Sequence, residues 1–153
     1  MSETVTLTES SRPSWDDYFM GLAKMASSRS DCLRAQVGAV IVNKRKKVVG
    51  TGYNNTPTGV EGCCDRGFCI RIKENIPSGT RYDTCRSIHG EQNAIIQAGE
   101  EKCQGSTIYI YGHNHVCVLC RRFIINSGIQ LVKLQTKEGL WTDIDPLTWK
   151  EGL

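Results

Sequence analysis

No stretch of the 153-residue sequence stays apolar for the roughly 18 residues that a membrane span requires, so no membrane partner is expected. Met1 to Pro13 lacks the apolar centre of a secretory signal and reads as a loosely ordered polar tail. Charge of one sign is also scarce. The 19 Lys and Arg against 16 Asp and Glu leave a net +3, too little for a dedicated nucleic-acid surface. The one basic run, Lys44 to Lys47, lies between two strand-like stretches and reads as a solvated hairpin turn. Internal repeats and linker-like segments are missing, and 39% hydrophobic with 23% charged residues is an ordinary globular composition. One domain, 14–153, is therefore expected, in the cytoplasm, where disulfides are rare.

Against these absences stand eight cysteines, at 32, 63, 64, 69, 85, 103, 117 and 120. A small buried apolar role suits a lone Cys103. It suits less well the close set at 63, 64 and 69 and the pair at 117 and 120, where metal binding is the better reading.

Hydrophobic periodicity gives the elements. Ser14 is a plausible N-cap for a helix to about Ser28, with Trp15, Phe19, Leu22 and Met25 recurring at helical spacing and expected to pack on a sheet. Val37–Val42 and Lys47–Tyr53 read as strands joined by a turn at 43–46. From Asn54 to Ser87 periodicity fails, and an irregular segment of that length is usually functional or held by something else. A helix from about Ile88 to Gly99 follows, with Ala94, Ile95 and Ile96 expected to face inward. Then come a strand at Thr107–Tyr111, a helix at Cys117–Asn126, a strand at Ile129–Leu134, and an ambiguous, partly helical tail at Leu140–Trp149. That order predicts an α/β layered fold with a mixed sheet.

Two short motifs carry the chemistry. His89-Gly90-Glu91 opens one predicted helix, and Cys117-Val118-Leu119-Cys120 opens the next. Cysteines three apart on a helix share a face, so both thiolates can reach one ion. Helix N-termini favour thiolate over thiol. With His89 as third ligand, a zinc ion keeps one open position for water, the pattern of a catalytic rather than a structural site. Glu91, two residues past the ligand, is placed to exchange protons with that water.

These residues resemble the zinc nucleobase deaminases, whose signature is His-x-Glu followed by Pro-Cys-x-x-Cys. Val37-Gly38-Ala39-Val40-Ile41-Val42 and Thr51-Gly52-Tyr53-Asn54, with Pro57 and Gly59, are similar to the front half of the deoxycytidylate (dCMP) deaminase family, over about Trp15 to Leu134. The resemblance implies a three-layer α/β/α fold around a central mixed sheet of about five strands, with a cysteine-containing insertion at about 55–87. It implies hydrolysis of dCMP to dUMP and ammonia: Glu91 takes a proton from the activated water and passes it to N3 of cytosine, hydroxide attacks C4, and Glu91 protonates the departing amine. It also implies a second, structural zinc on Cys32, Cys63, Cys69 and Cys85, with Cys64 as a substitute for Cys63. Substrate contacts are assigned to Asn54, Gly90, His113 and His115. Asn54 reads equally well as a turn residue, and His113 and His115 as a polar loop. The family implies dimers or hexamers and regulation by dCTP and dTTP, for which Gly52, Asn55 and Thr58 are candidate effector contacts.

Three departures from the family are visible. Val116 replaces the proline before the first ligand cysteine, Gly90 replaces an alanine, and the segment Tyr111–His115 is about two residues longer than usual. Deamination of another cytosine or purine base or nucleoside, and a non-catalytic zinc-stabilised binding domain, are the alternatives. Retention of Glu91 argues against the second, because a structural domain has no use for a proton shuttle.

Overall fold

The computed structural model describes residues 11–153, so most of the expected tail lies outside the described residues. Strands β1 (Gly38–Val42), β2 (Val48–Tyr53), β3 (Thr107–Tyr111), β4 (Leu131–Gln135) and β5 (Trp141–Ile144) form one sheet in the order β2-β1-β3-β4-β5. β1 runs antiparallel to β2 and β3, β3 parallel to β4, and β4 antiparallel to β5. The helices are α1 (Trp15–Ser27), α2 (Cys63–Arg66), α3 (Ile70–Lys73), α4 (Gly90–Ala98), α5 (Glu100–Cys103) and α6 (Val118–Asn126), followed by a 3-10 helix at Pro146–Gly152.

Every residue of β1 is buried, because both faces of the sheet are covered. Ala39 and Ile41 pack on one side with Ile108, Ile110 and the α4 and α6 residues Ala94 and Ile124. Val40 and Val42 pack on the other with Tyr109, Tyr111 and the α1 residues Phe19 and Ala23. The expected α/β/α layering with a five-stranded mixed sheet is what the chain adopts. At the hairpin, Asn43 Oδ1 accepts the N–H groups of Arg45 and Lys47, so Lys44–Lys47 is an exposed turn, as its sequence suggests.

Helix faces differ from the expectation for one recurring reason. Ser14 caps α1 by accepting the Asp17 N–H, but Trp15 (55% exposed) and Met25 (70%) point outward, Leu22 is only partly covered, and Phe19, Met20 and Ala23 face the sheet. A side chain on Gly38 would lie 3.0 Å from Ser27 Cα and nearer still to the Ala23 carbonyl. The α1 backbone therefore rides directly on β1, and small residues line the seam. The same holds for α4 over Gly50 and Gly52 of β2. Ala94 and Ala98 fill that seam, Ile95 is buried, and Ile96, expected inside, is 66% exposed.

Two other segments differ. The tail at Leu140–Trp149, expected to be ambiguous and partly helical, is an exposed edge strand, β5, followed by the 3-10 helix. The irregular segment at 55–87 contains α2, α3 and a 3-10 turn at Tyr82–Thr84, closed at its base by reciprocal Asn55–Ile88 backbone hydrogen bonds.

Candidate active site

His89 is the N-cap of α4 and Cys117 the N-cap of α6, so the two helices aim their positive ends at one point beyond the C-terminal end of β3. Gln92 Oε1 accepts the His89 N–H at 3.1 Å, and Cys117 Sγ accepts the Cys120 N–H at 3.4 Å. His89 Nδ1 is 3.3 Å from Cys117 Sγ and 3.3 Å from Cys120 Sγ. Zinc–sulfur and zinc–nitrogen bonds of about 2.3 and 2.05 Å at a tetrahedral angle put S and N about 3.6 Å apart. The three side chains therefore stand close to the spacing that one zinc ion demands. Among the described residues, this is the group whose metal-ligating atoms all lie within 4.8 Å of one another.

The electrostatics suit a cation. The Cys117 thiol is lowered to about 4, first by its hydrogen bond from Cys120 and then by His89 and the Cys120 N–H. Cys120 moves the other way, because it shares its proton with Cys117 and is fully buried. A dication bound between them would favour the thiolate form of both. Val116 stands where the family has proline, and Arg121 holds its carbonyl. The Arg121 Nε donates to Val116 O at 2.8 Å while its guanidinium lies over Trp149.

Glu91, in the first turn of α4, is 6% exposed and lines the cleft beside His89 and Cys117. Burial pushes its carboxyl above the ordinary value. A carboxyl group raised in this way is suited to taking and returning a proton near neutral pH.

The other predicted residues separate. Asn54, His113 and His115 line the same cleft. Asn54 is also a strut: its Oδ1 accepts the Gly90 N–H at 3.2 Å, satisfying an unpaired donor at the start of α4, and its Nδ2 donates to Ala35 O at 3.2 Å. Gly90 itself is buried and outside the cleft lining. A methyl there would lie 3.1 Å from Val37 O and 3.3 Å from Tyr53 Cα, so the start of α4 packs closely on β1 and β2 at this position. Gly112, at φ 102°, opens the long loop in a conformation that favours glycine.

Cys32, Cys63, Cys69 and Cys85 do not gather to ligand distance. Cys32 and Cys85 line the cleft, while Cys63 and Cys69 begin and precede the short helices α2 and α3. Gly52 is pressed against the backbone of α4. Sequence reasoning missed Arg34, Arg71 and Tyr82, which also line the cleft. They lie in segments without periodicity, where only Pro77, Ser78 and Gly79 announce a turn.

A three-ligand zinc position with a buried carboxyl beside it, at the helix-capped edge of an α/β/α sheet, defines a class: zinc hydrolases that activate water. The family model for the cytidine and deoxycytidylate deaminase zinc-binding region matches residues 13–136. The sequence is 41% identical over 128 residues to a deoxycytidylate deaminase of Mycobacterium phage D29, covering 80% of this chain and 94% of that one. It is 39% identical over 125 residues to the Schizosaccharomyces pombe deoxycytidylate deaminase, covering 82% of this chain but only 38% of the yeast protein. The dCMP deaminase of cyanophage S-TIM5 shares the fold, with a TM-score of 0.60 at 24% identity over 82% of this chain and 85% of that one. This chain belongs to the cytidine and deoxycytidylate deaminase zinc-binding family.

Proposed function

We propose that the chain catalyses hydrolytic deamination of dCMP to dUMP and ammonia. The observation that carries the substrate class is the charge of the cleft. Arg34 and the donor groups of His113 and His115 line it, and Glu91 is the one carboxylate among its described lining residues. Such a cleft favours an anionic, phosphorylated substrate over a free base or nucleoside. The near-complete span of the phage D29 relative supports the view that this domain alone suffices for the reaction.

His89, Cys117 and Cys120 hold the zinc, which when bound supplies the acidity that makes water a nucleophile at neutral pH. Glu91 accepts a proton from the attacking water and delivers it to N3 of the base as C4 is attacked. It then takes the proton of the new C4 hydroxyl and passes it to the amino group, which leaves as ammonia while the C4 carbonyl forms. His113 Nδ1 accepts the N–H groups of Asn114 and His115, which leaves its ring proton on Nε2. Burial, then the neighbouring His115, lowers its pKa, so it serves as a neutral donor to the phosphate or sugar, with His115 beside it. Asn54 contacts the sugar from the cleft wall while bracing α4.

Assembly into homo-oligomers belongs to the same reading, supported by the exposed Trp15, Tyr18 and Met25 on α1 and Ile96 and Phe123 on α4 and α6. Regulation by dCTP and dTTP is proposed with it, with Gly52, Asn55 and Thr58 as candidate contacts. Eight free cysteines support residence in the cytoplasm. The test of the substrate is a panel of dCMP, CMP, deoxycytidine, cytosine and guanine with the zinc-loaded protein. Turnover of dCMP well above deoxycytidine is expected, and failure to turn over any deoxycytidine nucleotide overturns the proposal.

A further inference from the structure

Among the described residues two charged side chains are buried, Glu91 and Arg71, and the chemistry above uses only the first. Arg71, on α3, is 4% exposed and has no carboxylate at ion-pair distance among the described residues. Its charge is met instead by one loop. Nη1 donates to Arg81 O at 2.7 Å and Thr84 Oγ1 at 3.4 Å, and Nη2 to Pro77 O at 3.0 Å and Thr80 O at 2.6 Å. A buried cation is costly unless its donors are satisfied, so this loop and this side chain hold each other in place.

The loop carries Tyr82. The guanidinium carbon of Arg71 lies 5.1 Å from the Tyr82 ring centroid, within cation–π range. The Tyr82 ring in turn meets the His89 imidazole edge-on, with centroids 5.3 Å apart and planes at 72°. A continuous path therefore runs from the insertion to the first metal ligand.

We propose that Arg71 is the positioning residue that couples the insertion to the metal centre. By gathering the acceptors of 77–84 it holds Tyr82 against His89 and fixes the imidazole with Nδ1 toward Cys117 and Cys120. Arginine is required because its planar fork serves several acceptors at once, whereas lysine is a compact point charge. The proposal rests on the zinc site assigned above.

The test is the rate at which the zinc-loaded protein releases its ion to a chelator, with kcat and KM measured in parallel. Arg71→Met and Tyr82→Leu are each expected to speed release about tenfold, the usual scale for a residue that orients a metal ligand. Arg71→Lys should behave as Arg71→Met does, and Tyr82→Phe, which keeps the ring, should match the wild type. Because both residues act on one path, the double variant should release zinc no faster than the worse single one. Wild-type release by both Arg71→Met and Tyr82→Leu overturns the inference, as does a fully additive double variant. Should Arg71→Met fail to fold, the contrast between Tyr82→Leu and Tyr82→Phe decides the matter. A wild-type protein that takes up no zinc overturns the metal-site reading as well.

Discussion

Replacing Gly52 by alanine probes the seat of the catalytic helix. A Cβ at this position of β2 would lie 2.9 Å from Asn93 Cβ and closer still to the Gly90 carbonyl and the Ala94 amide. Carbon–carbon contacts settle at about 3.5–4.0 Å, so α4 must retreat by roughly 1 Å. Two of the nearest atoms are backbone, which cannot rotate aside, so the cost belongs at the upper end of the overpacking range, about 3 kcal/mol. For a chain of this length that is a fall in Tm of about 6–12 °C. Retreat of α4 also moves His89 and Glu91, and a misplacement of about 1 Å costs on the order of a hundredfold in turnover. Thermal unfolding followed by circular dichroism and steady-state dCMP turnover measure the two effects. Gly21→Ala is the control. It lies in α1 with nothing within 4 Å of a new methyl, and should stabilise by about 0.5–1 kcal/mol through helix propensity alone. An unchanged Tm and unchanged turnover for Gly52→Ala would refute the claim that β2 seats α4 by backbone contact.

The remaining predictions concern pH, the α4 brace and metal content. Burial alone would raise the Asp16 carboxyl, but hydrogen bonds from Tyr109 and Lys133 outweigh it and hold the group below its ordinary value of 3.8. A carboxyl lowered by folding stabilises above its unfolded pKa and loses that contribution as pH falls through the folded one. Denaturant melts below about pH 4 should therefore show a shallower loss of stability in Asp16→Asn than in the wild type, and parallel curves would count against the Tyr109–Asp16–Lys133 link. Asn54→Ala removes the acceptor for the Gly90 N–H and should lower stability by about 1–2 kcal/mol in the same melts, with turnover falling too; no change in either would reduce Asn54 to a turn residue. Elemental analysis should find at least one zinc per chain, held by His89, Cys117 and Cys120, which stand at ligand distance. A second equivalent would mean that Cys32, Cys63, Cys69 and Cys85 close on another ion.

The metal centre was legible because the geometry of each half is local. His89 and Cys117 are helix N-caps, Glu91 is two residues past His89, and Cys117 and Cys120 are one turn apart, so each half of the centre shows in short-range spacing. That the halves meet, 28 residues apart, was legible from their order and the family resemblance. The sheet was legible from short apolar runs such as β1. Helix facing was not, because the seams over Gly38, Gly50 and Gly52 select small residues and turn the larger Met25 and Ile96 outward, against the simple rule that large apolar residues face in. β5 escaped notice because an edge strand exposed along most of its length shows no apolar alternation. Arg71 and Tyr82 escaped because carbonyl groups, which every residue carries, hold the arginine in place. No spacing of side chains announces such an arrangement.

The central claim is that Glu91 moves the protons of a zinc-dependent deamination. The most direct test is formation of dUMP from dCMP by the zinc-loaded wild type and Glu91→Ala side by side, at matched zinc content. Steady production by the wild type, and a loss of at least about a hundredfold in Glu91→Ala with the ion still bound, is the predicted result. Turnover by Glu91→Ala at the wild-type rate, or no dUMP from the wild type, would contradict it.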